Sequence, residues 1–202
     1  MLSVQTLANR IRMRLHDTEE ITYADEEILD GINCGIRFIR RIIANIRPAL
    51  LMSEIRGTLP AGENFIELGV PPLKIINVIV GDKALLETEM SFAIHKPSDS
   101  TGKPKEFYLT GSQTINIRPT PEEDTTYTVR TVNDIKELTW EDDSPLLTEF
   151  DDFLVEYAAI RLSVGNEYDM TQESQLMANI ASQIQALLTP PPAGVIVRGY
   201  WQ

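Results

Sequence analysis

Residues 24–48 read ADEEILDGINCGIRFIRRIIANIRP. Ile28, Leu29, Ile32, Ile36, Ile39, Ile43 and Ile46 recur at three- and four-residue steps, which places them on one face of a helix. Asp25, Glu26 and Glu27 fall in its first turn, where the helix dipole favours anions. Arg40, Arg41 and Arg47 gather toward its C-terminal end, where the dipole favours cations. Pro48 biases Arg47 away from helix and ends the run. A helix of about 22 residues is about 33 Å long, which is long for a small domain. Cys34 lies inside the pattern and reads as a small core residue. Consecutive Arg40 and Arg41 point about 100° apart on a helix and cannot form one tight clamp. Arg37, Arg40, Arg41 and Arg47 read as dipole partners and salt-bridge donors, and as candidate contacts across a subunit boundary.

Upstream, Ser3 is placed to cap a helix carrying Val4, Leu7, Ala8, Ile11 and Leu15, with His16 at its end. Downstream the character changes. LMSEIRGTLPAGENFIEL (51–68) reads as a hairpin turning at residues 60–62. LKIINVIVGDKALLE (73–87) reads as two strands joined at Gly81-Asp82. KEFYLTGSQTINIRPTP (105–121) adds two more about Gly111-Ser112, and TTYTVRTVND (125–134) alternates as a further strand. Residues 88–104 are irregular and read as a long loop. Helix then resumes. Phe150, Phe153, Leu154, Tyr157, Ala158 and Leu162 share a face, and Gly165-Asn166 ends it. Thr171 is placed to cap a last helix with Leu176, Ile180, Ile184, Leu187 and Leu188 as its stripe, stopped by Pro190, Pro191 and Pro192. The expected fold is therefore α+β. An antiparallel bundle of about four helices (1–50 and 141–189) carries an inserted small antiparallel β-sandwich or barrel (51–140). An extended C-terminal arm (190–202) follows.

The chain is acidic, with 18 Lys and Arg against 30 Asp and Glu, a net charge of −12. Acid increases along it: residues 1–56 are neutral, 57–140 carry −4 and 141–202 carry −8. That argues against gripping nucleic acid, which needs cations to neutralise phosphate. One cysteine excludes an internal disulfide framework and any multi-cysteine zinc site. No apolar run is long enough for a membrane helix, and the first residues lack the apolar stretch of a signal peptide. A catalytic constellation is missing as well. His16 and His95 read as structural and surface residues, and no Gly-x-Ser-x-Gly, phosphate loop or His-Glu-x-x-His occurs. The acidic runs 122–124, 141–143 and 151–152 read as solvated loops and a helix's first turn. No catalytic residue, metal or cofactor is expected.

The chain closes LTPPPAGVIVRGYWQ (188–202). Three prolines make a semi-rigid spacer and Gly194 a pivot. Val195, Ile196, Val197, Arg198, Tyr200 and Trp201 beyond it are apolar, aromatic and basic, the types enriched at interface hot spots. The segment reads as a docking arm with Pro190, Pro191, Pro192 and Gly194 as its hinge, or as a tail folded back on its own subunit.

RLHDTEEITYADEEILDGINCGIRFI (14–39) resembles the opening of head-to-tail adaptor (connector) proteins of tailed bacteriophages. The shared features are a short helix, a leucine-acid pair (Leu15, Asp17), and an aromatic before an acidic helix start (Tyr23, Asp25, Glu26, Ile28, Leu29) with Asn33 after it. Ala24 here separates the aromatic from the acid. GTLPAGENFIEL, INIRPTPEEDTTYTVRTV and LLTEFDDFLVEYAAIRL are similar in the same order, over about residues 4–188. The resemblance implies no catalysis and a virion structural protein of the neck, assembled in the host cytoplasm. It implies a homo-oligomeric ring, commonly of twelve copies, beneath the capsid portal. Such a ring extends the DNA channel, passes DNA without specific binding, and offers a surface to the next tail or nozzle protein. It also implies the portal protein as the arm's partner. Other readings are another neck or tail completion protein, a small acidic hydrolase with its site in residues 88–104, and a DNA-mimicking inhibitor.

Overall fold

The computed structural model describes residues 2–89, 100–167 and 170–189. They form four helices and two sheets in an α+β chain. The chain divides into two compact units, Met1–Ile46 with Glu137–Gln202, and Arg47–Lys136.

The first unit is helical. Helix α1 (Val4–Arg14) starts where the Thr6 N–H donates to the Ser3 hydroxyl at 3.2 Å. Val4, Leu7, Ala8 and Ile11 are buried as the periodicity requires, and Leu15 is half-buried. Helix α2 (Asp25–Ile46) has the expected length. Its start is half of a capping box, with the Glu27 carboxylate accepting from the Ala24 N–H at 2.9 Å. The last turn holds no basic residue, which corrects the dipole reading: Arg40 and Arg41 stop short of it and Arg47 lies beyond it. Cys34 is half-buried rather than in the core, because it sits off the isoleucine stripe.

A short 3-10 turn (Thr148–Phe150) leads into α3 (Asp151–Glu167), and α4 (Met170–Leu188) follows. Helix α3 packs against all three others. Its approach to α2 explains two mid-helix glycines. A Cβ on Gly31 would lie 3.4 Å from the Ala158 Cβ, and one on Gly35 would lie 2.5 Å from the Leu154 Cδ1. Gly165-Asn166 does not end α3, which runs to Glu167, since a glycine in a helix interior costs only about 1 kcal/mol. Thr171 lies inside the first turn of α4 rather than capping it, and Leu187 is exposed because the stripe narrows to Ile180, Ile184 and Leu188. The chain's start is stitched to the segment before the 3-10 turn: the Val4 N–H donates to the Asp142 carbonyl and the Ser144 N–H to the Leu2 carbonyl.

The second unit is two four-stranded sheets. The strands are β1 (Met52–Leu59), β2 (Phe65–Glu67), β3 (Pro72–Val80), β4 (Lys83–Ala84), β5 (Leu86–Glu87), β6 (Glu106–Thr110), β7 (Thr114–Arg118) and β8 (Thr125–Asn133). Their orders are β1-β8-β3-β4 and β2-β7-β6-β5. Two expected hairpins are present. Val80 pairs with Lys83 across Gly81-Asp82, and Thr110 pairs with Thr114 across residues 111–113. Gly81 (φ 63°) and Gly111 (φ 68°) supply the left-handed backbone these turns need. The expected hairpin at residues 60–62 is not one. There the chain passes from one sheet to the other, since β1 pairs with β8 and β2 with β7. Nor is the β unit wholly antiparallel, because β5 runs parallel to β6. Leu59, Val78, Val80 and Val129 from one sheet and Ile66, Phe107, Ile115 and Ile117 from the other form one buried core.

Candidate interaction surfaces

The connection from α1 to α2 is built around a buried arginine. Arg12 occupies the α1 face that Ala8 occupies one turn earlier, a core position, and is 4% exposed. Its guanidinium donates to the Asp17 carboxylate at 2.7 Å, to the Asp25 carboxylate at 2.7 Å and to the Tyr23 carbonyl at 3.1 Å. Asp17 in turn accepts from the backbone N–H groups of Thr22 (2.8 Å), Ile21 (3.0 Å) and Tyr23 (3.2 Å). Those bonds, Thr22's foremost, outweigh desolvation and hold its carboxyl below the ordinary range. His16 (φ 57°) and Glu20 (φ 58°) sit in left-handed backbone within the same loop. Such conformations persist only where the surroundings over-determine them. The loop is therefore a rigid display. It presents Ile21 at 78% exposure, and Met13 on α1 is 66% exposed.

Beside this loop, α1 and α3 leave a cleft of about 320 Å³ lined by Leu15, His16, Tyr23, Glu156, Ala159 and Ile160, among others. Its lining mixes apolar groups with Arg14, His16, Glu156 and Ser163, and its rim carries the Arg14–Glu156 ion pair at 3.0 Å between half-exposed side chains. The sequence pointed to Leu15 and Tyr23 here but missed Glu156 and Ile160, which lie off the apolar face of α3. The signal for Arg12 was present in the sequence, as an arginine where the stripe of α1 would continue.

The four arginines read from the sequence part company. Arg37 pairs with Glu137, Arg40 is buried on α2, and Arg41 and Arg47 are exposed. Pro190, Pro191, Pro192, Gly194, Val195, Ile196, Val197, Arg198, Tyr200 and Trp201 lie outside the described residues, as does His95. Thus part of the 88–104 segment considered for a hydrolase site also lies outside them.

Asp151 corrects the view of residues 151–152 as a solvated pair. Asp152 is exposed, but Asp151 is 1% exposed, and its carboxylate oxygens have no hydrogen-bond partner among the described residues. Burial pushes its carboxyl up. It lines neither the α1–α3 cleft nor a second cleft of about 400 Å³ in the β unit, near Asp82, Lys83, Lys103, Glu122 and Glu123. Burial likewise raises the Cys34 thiol, which donates to Asp30 at 3.7 Å and so favours the poorly nucleophilic protonated form. Among the described residues no group of three or more His, Cys, Asp or Glu side chains is placed to hold a metal ion, and no helix is long and apolar enough to cross a membrane.

The SU10 adaptor protein family model matches residues 2–195, and the chain belongs to that family of tailed-bacteriophage head-to-tail adaptors. The match spans the order of elements on which the sequence resemblance rests. The family is one of virion structural proteins that join portal and tail components, which implies a protein without enzymatic activity. No curated protein matches the chain.

Proposed function

We propose that this chain is the subunit of a ring, commonly of twelve copies, that docks beneath the portal vertex in the virion neck. The ring assembles in the host cytoplasm, extends the DNA channel and offers the attachment surface for the next tail or nozzle protein. In this reading the helical bundle carries the β domain as an insertion, and residues 190–202 are the arm that docks on the portal. The observation that carries it is the family match over almost the whole chain. Charge supports it further. The helical unit holds 8 basic and 18 acidic residues, net −10, against 10 and 12, net −2, in the β unit. A negative channel wall repels phosphate and lets packaged DNA slide without adhering.

The test is electron microscopy of the protein with and without portal. A ring of adaptor copies on the portal is expected. Portal that stays bare at saturating adaptor overturns the reading. Deleting residues 193–202 should abolish docking and leave the subunit folded by circular dichroism; a truncated chain that still docks removes the arm from it.

A further inference from the structure

We propose that two copies of the free chain pair through β1, edge to edge and antiparallel about Ile55, so that their four-stranded sheets join into one of eight strands.

Strand β1 is the outermost of its sheet, in the order β1-β8-β3-β4. Among the described residues its backbone hydrogen-bonds to β8 alone. Every second residue therefore turns its N–H and C=O outward, and such a row is a template for another strand. The usual protections of an edge are missing here. The other outer strands are short, two residues in β4 and β5 and three in β2. Strand β1 has eight residues, no proline, and no bulge in its register with β8. It carries one charge of each sign, Glu54 and Arg56, where a row of lysines would repel a second copy.

These charges select both the occupant and the register. Ile55 and Leu59 pack into the β core, so Met52, Glu54, Arg56 and Thr58 share the outer face. A one-residue slip would turn one copy's core face outward, so the permitted registers differ by two residues. Centred on Ile55, each Glu54 stands opposite the other copy's Arg56, and each Met52 opposite the other's Thr58. Centred on Glu54 or on Arg56, two like charges meet directly, which is destabilising. Residues directly opposite have Cβ atoms about 5 Å apart, within reach of an ion pair. Glu54 already accepts from Arg56 Nε at 3.2 Å and from Arg130 Nε at 2.8 Å. The Arg56 side chain is 73% exposed, so it turns to the second copy's Glu54 without stranding a buried charge. Met52, an exposed apolar side chain, gains cover from the opposing Thr58 and the Arg56 stem beside it.

A contact made of one strand pair lies at the small end of interfaces, below about 1,200 Å², so the dimer is concentration-dependent. A two-fold contact uses the same patch on both copies and closes at two. It is therefore not the repeating contact of a ring. It belongs to the free chain and covers the β1 edge until assembly separates the pair.

Sedimentation velocity of the full chain should show monomer on dilution and dimer at high concentration. Arg56→Glu and Glu54→Arg should each be monomeric where the parent is dimeric, with circular dichroism unchanged. An equal mixture of the two should dimerise again, because every opposed pair is then complementary. Met52→Cys combined with Thr58→Cys, in a Cys34→Ser chain, should give a disulfide-linked dimer on oxidation with diamide, and neither new cysteine alone should. A parent that is monomeric throughout overturns the proposal. So does a dimer that both charge variants keep, a folded mixture that stays monomeric, or a cross-link from either single cysteine. A chain that is monomeric alone, and whose β1 amides gain protection from hydrogen exchange only when portal protein is added, assigns the edge to a strand of that partner and also overturns it.

Discussion

Two buried residues of opposite electrostatic character set how the helical unit responds to solution conditions. Arg12 is surrounded by Asp17, Asp25 and the Tyr23 carbonyl. Replacing it with methionine leaves a buried carboxylate without its counter-charge, a class of change that costs about 3 kcal/mol or more. The expected outcome is a large drop in urea midpoint for Arg12→Met. Asp17 has a lowered pKa, so its contribution is complete above its ordinary value of 3.8 and is lost as pH falls through the lower folded value. Asp151 has the reverse sign. Below 3.8 it is protonated in both states and costs nothing; as pH rises from there through its raised folded value, the folded state is progressively penalised. Asp151→Asn should therefore be more stable than the parent at neutral pH, with the gap closing toward pH 3.8, measured as melting temperature against pH. A gap that stays constant with pH would show that folding does not shift the Asp151 carboxyl. Arg12 carried a signal only in its spacing, and Asp151 carried none. A lone arginine at a core spacing and an aspartate at a helix start look the same whether they face water or not, and burial is settled only by packing.

Among the elements, what could be read from the sequence divides by range. Helices α1 and α2 were legible because their apolar spacing repeats over three or more turns, and the β3–β4 and β6–β7 hairpins because Gly81-Asp82 and Gly111-Ser112 set the turn locally. The pairing of β1 with β8 joins Met52 to Val132 and Leu59 to Thr125, and no local signal marks partners so distant. That is why residues 60–62 looked like a hairpin turn. The end of α3 failed for a related reason. Helix packing carries the chain through Gly165-Asn166, although that pair alone favours a stop. Close packing also makes a test. Gly35→Ala gains about 1 kcal/mol of helix propensity, yet its Cβ would lie 2.5 Å from the Leu154 Cδ1 and 3.0 Å from the Tyr157 Cδ1. Overpacking of this kind costs about 1–3 kcal/mol, so Gly35→Ala should lower the melting temperature. At the exposed edge of the unit, Ser3→Ala should cost about 1 kcal/mol through loss of the α1 cap.

At the scale of the whole molecule, the legible part was the class and the illegible part the surfaces. The order of helix starts, turns and strand patterns carried the resemblance to head-to-tail adaptors, and the family match extends over residues 2–195. The α1–α3 cleft could not be read, because it is made by two segments more than 140 positions apart, as the Arg14–Glu156 pair shows. The arm could be read as a sticky segment but not as belonging to any surface. If acid in the helical unit lines the channel, replacing exposed channel-facing Asp and Glu with Asn and Gln should slow genome ejection measured by DNA release; unchanged release would leave the acid with solubility alone.

The stitching of residues 2–4 to residues 142–144 has a consequence during synthesis. The first 46 residues leave the ribosome with their apolar faces uncovered, and the segments that cover them emerge only after the β unit has been made. Residues 47–136 contain both of their sheets and can close while the earlier helices still wait. Biogenesis thus runs from the middle of the chain outward. The nascent α1 and α2 are the stretch most exposed to chaperones and to aggregation, and a stalled ribosome near residue 140 would strand the molecule with one unit finished and the other half-made.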